Sequence, residues 1–275
     1  MTAASPDRSP RRRRFTIGPV DTAVLEVGDG PPIVLLHGNP DSAELWRDVT
    51  PKLNGFRCLM PDLPGFGHSK ILGPYPFTLD AHVEWLRGLL DALDVRAPVH
   101  LVVHDFGGPF GLAWAVRHPQ QVASVLLSDT IFMSGYRWHF WARLWRTRVL
   151  GEITMPLMGW PIFRWELRRG SKNLPDAHLR RTWALVTPAV KRTVLQLYRA
   201  TDPDVFLGWE DELRGLLRDR PSLALWGERD PYIDPRWADT FGADTAEIVP
   251  KCGHWLPAEV PDLFADRLLR LVASC

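Results

Sequence analysis

Val99-His100-Leu101-Val102-Val103-His104-Asp105-Phe106-Gly107-Gly108 decides the fold of this 275-residue chain. The run from Val99 to Val103 is apolar except for His100, as expected of a strand buried on both faces. Two glycines follow, and Gly107 to Trp114 reads as the start of a helix. Strand, tight turn and helix together make a nucleophile elbow, which holds one side chain exposed above a sheet. Ser is the usual residue at such a tip, but Asp105 stands here. An ionised carboxylate needs no base to activate it and suits attack on saturated carbon. Attack on an acyl carbon would give a labile anhydride, so esterase or protease chemistry is disfavoured.

Outward from this stretch, runs at Ile33–Leu36, Phe56–Met60, Val122–Leu127, Ser222–Trp226 and Ala246–Val249 predict further strands. They alternate with helical patterns, which predicts an α/β fold with a mostly parallel, doubly wound sheet. Thr78 is placed to cap a helix whose apolar face is Leu79, Val83, Leu86, Leu90 and Leu93. A last helix is predicted over Pro257–Val272, with Pro in its first turn. The alternation breaks across residues 132–218, which are rich in Trp, Arg and Leu. Trp138, Trp141 and Trp145 fall there at helical spacing. This predicts a helical cap inserted between core segments 15–131 and 219–275. Residues 1–14, ending in Arg11-Arg12-Arg13-Arg14, are predicted to be a mobile basic tail.

Composition narrows the class. Hydrophobic content of 45% and charged content of 24% are those of a globular protein. A formal net charge of +1 gives no pull toward nucleic acid or membranes. No apolar run reaches the roughly 18 residues of a membrane span, and the N-terminus lacks the apolar core of a secretory signal. A cytoplasmic location is therefore expected. The three cysteines, Cys58, Cys252 and Cys275, show no metal-ligand spacing and no disulfide framework. Cys58, in a strand-like run, is expected to pack as a small hydrophobe.

An aspartate at the elbow needs a base that activates water, an acid that orients the base, and N–H donors for the oxyanion. His254, after a predicted strand and before the last helix, is the base expected at the same carboxyl edge of the sheet. Two acids follow strand ends at that edge, Asp230 and Asp129. Asp230 is preferred because an acid after its strand and ahead of the His is the common order, but Asp129 stays open. The oxyanion donors expected are the backbone N–H groups of Phe106 and Asn39. His37, beside Gly38 and Asn39, reads as a structural hydrogen-bonding anchor rather than a second base. No metal or organic cofactor is called for, since the nucleophile and water carry the chemistry.

As a set and in this order, His37-Gly38-Asn39-Pro40, Pro61-Asp62-Leu63-Pro64-Gly65-Phe66-Gly67-His68-Ser69, the elbow, Trp226-Gly227-Glu228-Arg229-Asp230 and Gly253-His254 resemble the α/β-hydrolase superfamily. The resemblance runs from about Phe15 to Val272 and implies the α/β-hydrolase fold. The Asp elbow narrows it to the haloalkane dehalogenase and epoxide hydrolase branch. The segment from His37 to Trp46 resembles the one in which haloalkane dehalogenases place a halide-binding Asn, which implies that role for Asn39. Asp129 lies where some members of both groups put their acid. Dehalogenases carry a Trp directly after the nucleophile, whereas this chain has Phe106. A cap Trp is then needed as the second halide donor, with Trp138, Trp141, Trp145 and Trp183 as candidates.

Tyr198 lies near where epoxide hydrolases carry a cap Tyr that protonates the opening oxygen, and Tyr136 or His139 is its candidate companion. Two enzymatic readings follow. A haloalkane dehalogenase-like hydrolase comes first, and an epoxide hydrolase using the same Asp105 second. A ligand-binding protein on a hydrolase scaffold is the non-enzymatic alternative. The expected partners are water and a small apolar or aromatic electrophile.

Overall fold

The computed structural model describes residues 9–275. The first half alternates β1 (Arg11–Ile17), β2 (Val20–Val27), β3 (Pro32–Leu36), β4 (Arg57–Pro61), the short β5 (Lys70–Ile71), α1 (Leu79–Ala92), β6 (Val99–Asp105), α2 (Gly107–Arg117) and β7 (Val122–Thr130). Six helices follow: α3 (Phe140–Arg146), α4 (Leu150–Leu157), α5 (Trp160–Gly170), α6 (Asp176–Leu185), α7 (Pro188–Ala200) and α8 (Trp209–Asp219). The chain then returns through β8 (Ser222–Gly227), α9 (Trp237–Thr240), β9 (Thr245–Val249), α10 (Leu256–Glu259) and α11 (Pro261–Ala273).

The sheet runs β1-β2-β4-β3-β6-β7-β8-β9, with β5 beside β2. From β4 to β9 every pairing is parallel, while β1 and β2 are antiparallel to their neighbours. Strands β3, β6 and β8 are buried along their whole length, as apolar runs covered on both faces must be. All parallel strands end at one edge, and the loops there carry Asn39, Asp105, Asp230 and His254. Thr78 Oγ1 caps α1 by accepting from Ala81 N at 3.3 Å.

Three expectations are corrected. Arg11–Arg14 form an edge strand rather than a tail, because each arginine of the run from Arg12 to Arg14 has a carboxylate partner. Arg12 lies 3.5 Å from both Glu44 and Asp62, Arg13 bonds Glu26 at 2.9 Å, and Arg14 pairs with Asp21. Residues 1–8 of the expected tail lie outside the described residues. The last helix is two: Val260 has left helical geometry and Pro261 starts α11, since a proline cannot supply the N–H that would continue α10. Helix α8, assigned by sequence to the cap, packs on α2 of the core, where Glu212 accepts from Arg117 at 2.6 Å. No helix among the described residues is long and apolar enough to cross a membrane.

Candidate active site

Strand β6 ends on Asp105 at φ 49°, and α2 begins two residues later. The positive φ lifts the side chain out of the strand into the loop edge. Gly38 makes this possible from the neighbouring strand end, since a Cβ there would sit 2.2 Å from Asp105 Oδ1. Asn39 N donates to Asp105 Oδ1 at 2.7 Å, and Phe106 N donates to the same carboxylate. The two backbone donors expected from the sequence therefore converge on this group. Burial pushes the Asp105 carboxyl up to about 6, against the pull of His254 and the two N–H donors.

His254 faces Asp105 with Nε2 3.7 Å from Oδ2. Its Nδ1 lies 2.8 Å from Asp230 Oδ2. Asp230 in turn accepts from Tyr232 N at 2.7 Å and Ile233 N at 3.1 Å through Oδ1, so both its oxygens are held. Burial disfavours the imidazolium, but the charge and hydrogen bond of Asp230, then the charge of Asp105, outweigh it and raise His254 to about 9.

Of the two acids, only Asp230 reaches the imidazole. Asp129 is fully buried, with Oδ1 accepting from Gly227 N at 2.9 Å and Oδ2 from Ser128 Oγ at 2.8 Å. Burial, then the charge of Asp230, hold its carboxyl well above the usual carboxylate range. Atoms of Asp129, Asp230 and His254 lie within 4.8 Å of one another, the spacing of a metal cluster. Within this trio Asp230 bonds His254, while the Asp129 oxygens are taken by Gly227 N and Ser128 Oγ.

A cavity between the sheet edge and helices α3–α7 opens onto Asp105 and His254. Its walls are mostly apolar, with Trp138, Trp141, Trp145, Met155, Met158 and Val194 among them. The indole of Trp138 stacks over Phe106 at 5.9 Å, and its Nε1 is buried without a hydrogen-bond partner. Trp145 Nε1 is likewise unpaired, whereas Trp141 donates to Glu166. Trp183 packs against Trp160 and Phe163 and does not line the cavity. Tyr198 OH receives a long 3.4 Å contact from Asn39 Nδ2, and His139 Nε2 stands 3.5 Å away. Burial keeps Tyr198 a neutral phenol and lowers His139 to about 4. His139 Nδ1 accepts from Ala142 N, so Nε2 carries the ring hydrogen. Tyr136 is in the wall, but its hydroxyl is committed to Tyr232 O at 3.0 Å. His37 is a closed structural anchor: Nδ1 donates to Gly38 O and Nε2 accepts from Leu63 N.

Several residues of the site escape sequence reading. His104 Nε2 donates to His254 O at 2.9 Å from beneath, burial lowering that ring to about 3 and keeping it neutral. Glu166, in the cavity wall, accepts from Tyr232 OH at 3.0 Å and pairs with Arg169. Trp255 and Asp41 are also buried beside the base. Only His104, directly before Asp105, carries a local signal. The others are brought in by contacts between distant segments.

The described geometry has counterparts. A family model described as alpha/beta hydrolase fold matches residues 31–261. A haloalkane dehalogenase of Mycolicibacterium smegmatis is 40% identical over 253 residues, 88% of this chain and 70% of that protein. Haloalkane dehalogenase 2 of Mycobacterium tuberculosis is 27% identical across 89% of both chains. The crystal structure of Cfl2 from Burkholderia cenocepacia superposes with a TM-score of 0.81 at 25% identity, covering 98% of each chain. With the sheet order, the elbow and this family match all pointing the same way, the chain belongs to the α/β-hydrolase fold family.

Proposed function

We propose that this hydrolase cleaves a carbon–halogen bond through an ester formed on Asp105. The observation that carries the reading is the Asp105 carboxylate at the cavity floor, its Oδ1 held by Asn39 N and its Oδ2 facing His254. In the first step a carboxylate oxygen attacks the carbon bearing the halogen. A C–O bond forms as the C–halogen bond breaks, and the halide leaves with the bonding pair. The Asn39 side-chain amide and the Trp138 indole N–H are the donors suited to receive it. Trp138 takes the place of the donor that Phe106 lacks, because the residue lines the same cavity, its buried Nε1 has no partner, and its ring lies on Phe106. The similarity to proteins named haloalkane dehalogenase supports the choice of leaving group.

In the second step His254 takes a proton from water, and the hydroxide attacks the ester carbonyl carbon. The N–H groups of Asn39 and Phe106 hold the oxyanion. On collapse the carbonyl re-forms as the bond to the alkoxide oxygen breaks. The alkoxide takes the proton held by His254 and leaves as the alcohol. His254 then takes the proton of the new Asp105 carboxyl, restoring the carboxylate facing an imidazolium. Esterification removes the negative charge of Asp105, which helps keep His254 protonated, so the first step itself prepares the base for the second. Water and the chain's own side chains complete this cycle.

A second reading has its own observation. Tyr198 OH, between Asn39 and His139 in the cavity wall, is placed to protonate an opening epoxide oxygen. One experiment separates the two. His254→Gln is incubated with haloalkanes and with epoxides, and intact mass is measured. The dehalogenase reading expects an alkyl adduct that has lost halide, while an epoxide hydrolase adds the whole epoxide mass. Absence of any adduct overturns both covalent readings and favours a binding protein on the scaffold.

A further inference from the structure

The cap reaches past the cavity to the segment that carries the base. His254 N donates to Gly170 O, the last residue of α5, at 3.0 Å. Trp255 N donates to Ser171 Oγ at 2.9 Å. Gly253 lets the two backbones approach this closely, since a Cβ there would lie 2.1 Å from Gly170 O. The Trp255 indole then donates to Asp41 Oδ2 at 2.8 Å. The other oxygen of Asp41 accepts from Thr182 Oγ1 at 2.7 Å and sits 3.2 Å from His178 Nε2, both on cap helix α6. Asp41, Ser171, His178, Thr182 and Trp255 are all essentially sealed from solvent. Although burial disfavours its charge, the His178 and Thr182 contacts hold Asp41 ionised, at about 2.

We infer that the cap positions the catalytic base: Gly170 and Ser171 hold the backbone N–H groups of the His254 segment, and Asp41 ties Trp255 to α6. Asp41, Ser171 and Thr182 are positioning residues, since none lines the cavity. The core alone holds the attacking group, because both N–H donors to Asp105 come from core loops. Loosening the cap therefore strips acceptors from the base segment while leaving the nucleophile held. The two chemical steps acquire different dependence on cap seating, with ester hydrolysis the sensitive one. This assignment of steps rests on the proposed ester mechanism, but the positioning of His254 does not.

The test uses Ser171→Ala and Thr182→Val in the full chain, with Thr182→Ser as the conservative variant. Rapid-quench single turnover of a bromoalkane separates the steps. Ester hydrolysis is expected to slow roughly tenfold in each variant, with ester formation within about twofold of wild type. Thr182→Ser restores hydrolysis. In the resting enzyme, without substrate, the proton NMR signal of the His254 Nδ1–H bonded to Asp230 is expected to broaden in Ser171→Ala and Thr182→Val and to stay sharp in Thr182→Ser. Equal slowing of both steps, or unchanged hydrolysis, overturns the inference, and so does an unchanged Nδ1–H signal. If no ester forms in any protein, the ester mechanism has failed, and the NMR signal alone then decides whether the cap positions His254.

Discussion

Asp105 and Asp129 are the same residue type at the ends of neighbouring parallel strands, at φ 49° and φ 43°. Both are buried, and in both burial raises the carboxyl. They differ in what surrounds them. Asp129 has both oxygens filled by Gly227 N and Ser128 Oγ and does not line the cavity. Asp105 has Oδ1 held by Asn39 N and Oδ2 turned to His254, with the group open to the cavity. Left-handed backbone at a strand end is therefore insufficient to make a nucleophile. A carboxylate must also keep a lone pair open toward a guest and have donors that remain in place when it becomes an ester.

Removing each carboxylate gives the largest contrast. Asp105→Ala is expected to abolish turnover, with kcat down by about 10⁴-fold or more. Asp129→Asn is expected to cost less than about tenfold, because an amide of the same shape keeps the acceptor for Gly227 N and can donate to Ser128 Oγ in place of accepting from it. Steady-state halide release measures both. An Asp129→Asn variant as inactive as Asp105→Ala would erase the distinction between the two strand ends.

Asp230→Asn comes next in size. Its carboxylate holds His254 Nδ1 at 2.8 Å, and an amide there loses the charge that favours the imidazolium and invites the wrong tautomer. A fall in kcat of about 10²–10⁴-fold is expected, with ester accumulating in the mass spectrum. If Asp129 is a reserve acid, Asp129→Asn/Asp230→Asn will be clearly slower than Asp230→Asn alone. Equality of the two assigns the orientation of His254 to Asp230.

How far this contrast can be read from sequence depends on range. The strand ending at Asp105 is legible because β6, buried on both faces, writes itself as an apolar run, and the Gly pair after it marks the turn. His254 and both acids are legible as strand-end residues at one edge. The choice between the acids is not, since it depends on a few ångströms of loop geometry. Arg11–Arg14 hide a strand because their partners, Glu26, Glu44, Asp21 and Asp62, lie in other segments. The cap is legible as a break in alternation, but its attachment is not. Asp41 and Trp255 meet across 214 residues, and no local pattern records such a bond. Trp138 likewise looks like Trp141 and Trp145 until the fold stacks it on Phe106.

A smaller effect is expected from pH. Ester formation needs ionised Asp105, whose carboxyl stands at about 6. Its single-turnover rate should therefore fall about tenfold per unit as pH drops below about 6, whereas an ordinary exposed aspartate would hold its rate to about 4. Quenched-flow rates from pH 4.5 to 8 locate the inflection. An inflection near 4 would mean that the cavity solvates Asp105 more than its burial implies, and would weaken the contrast with Asp129.

The smallest effect is on stability, and its sign follows from the same burial. A carboxyl at about 6 in the folded chain and about 4 unfolded binds its proton more tightly when folded. Its stabilising contribution is complete below about pH 4 and is lost as pH rises through about 6, so at neutral pH the ionised Asp105 weakens the fold. Asp105→Asn removes that titration. The His254 imidazolium loses a partner in the same change, which offsets part of the gain. A net gain of about 1 kcal/mol at pH 7, about 2–4 °C in Tm, is the expected balance, shrinking toward pH 4. Thermal melts of wild type and Asp105→Asn at the two pH values read it directly. A variant less stable than wild type at pH 7 would mean that the ion pair with His254 outweighs the burial of Asp105. The elbow carboxylate would then belong with the structurally satisfied group at Asp129 rather than opposite it.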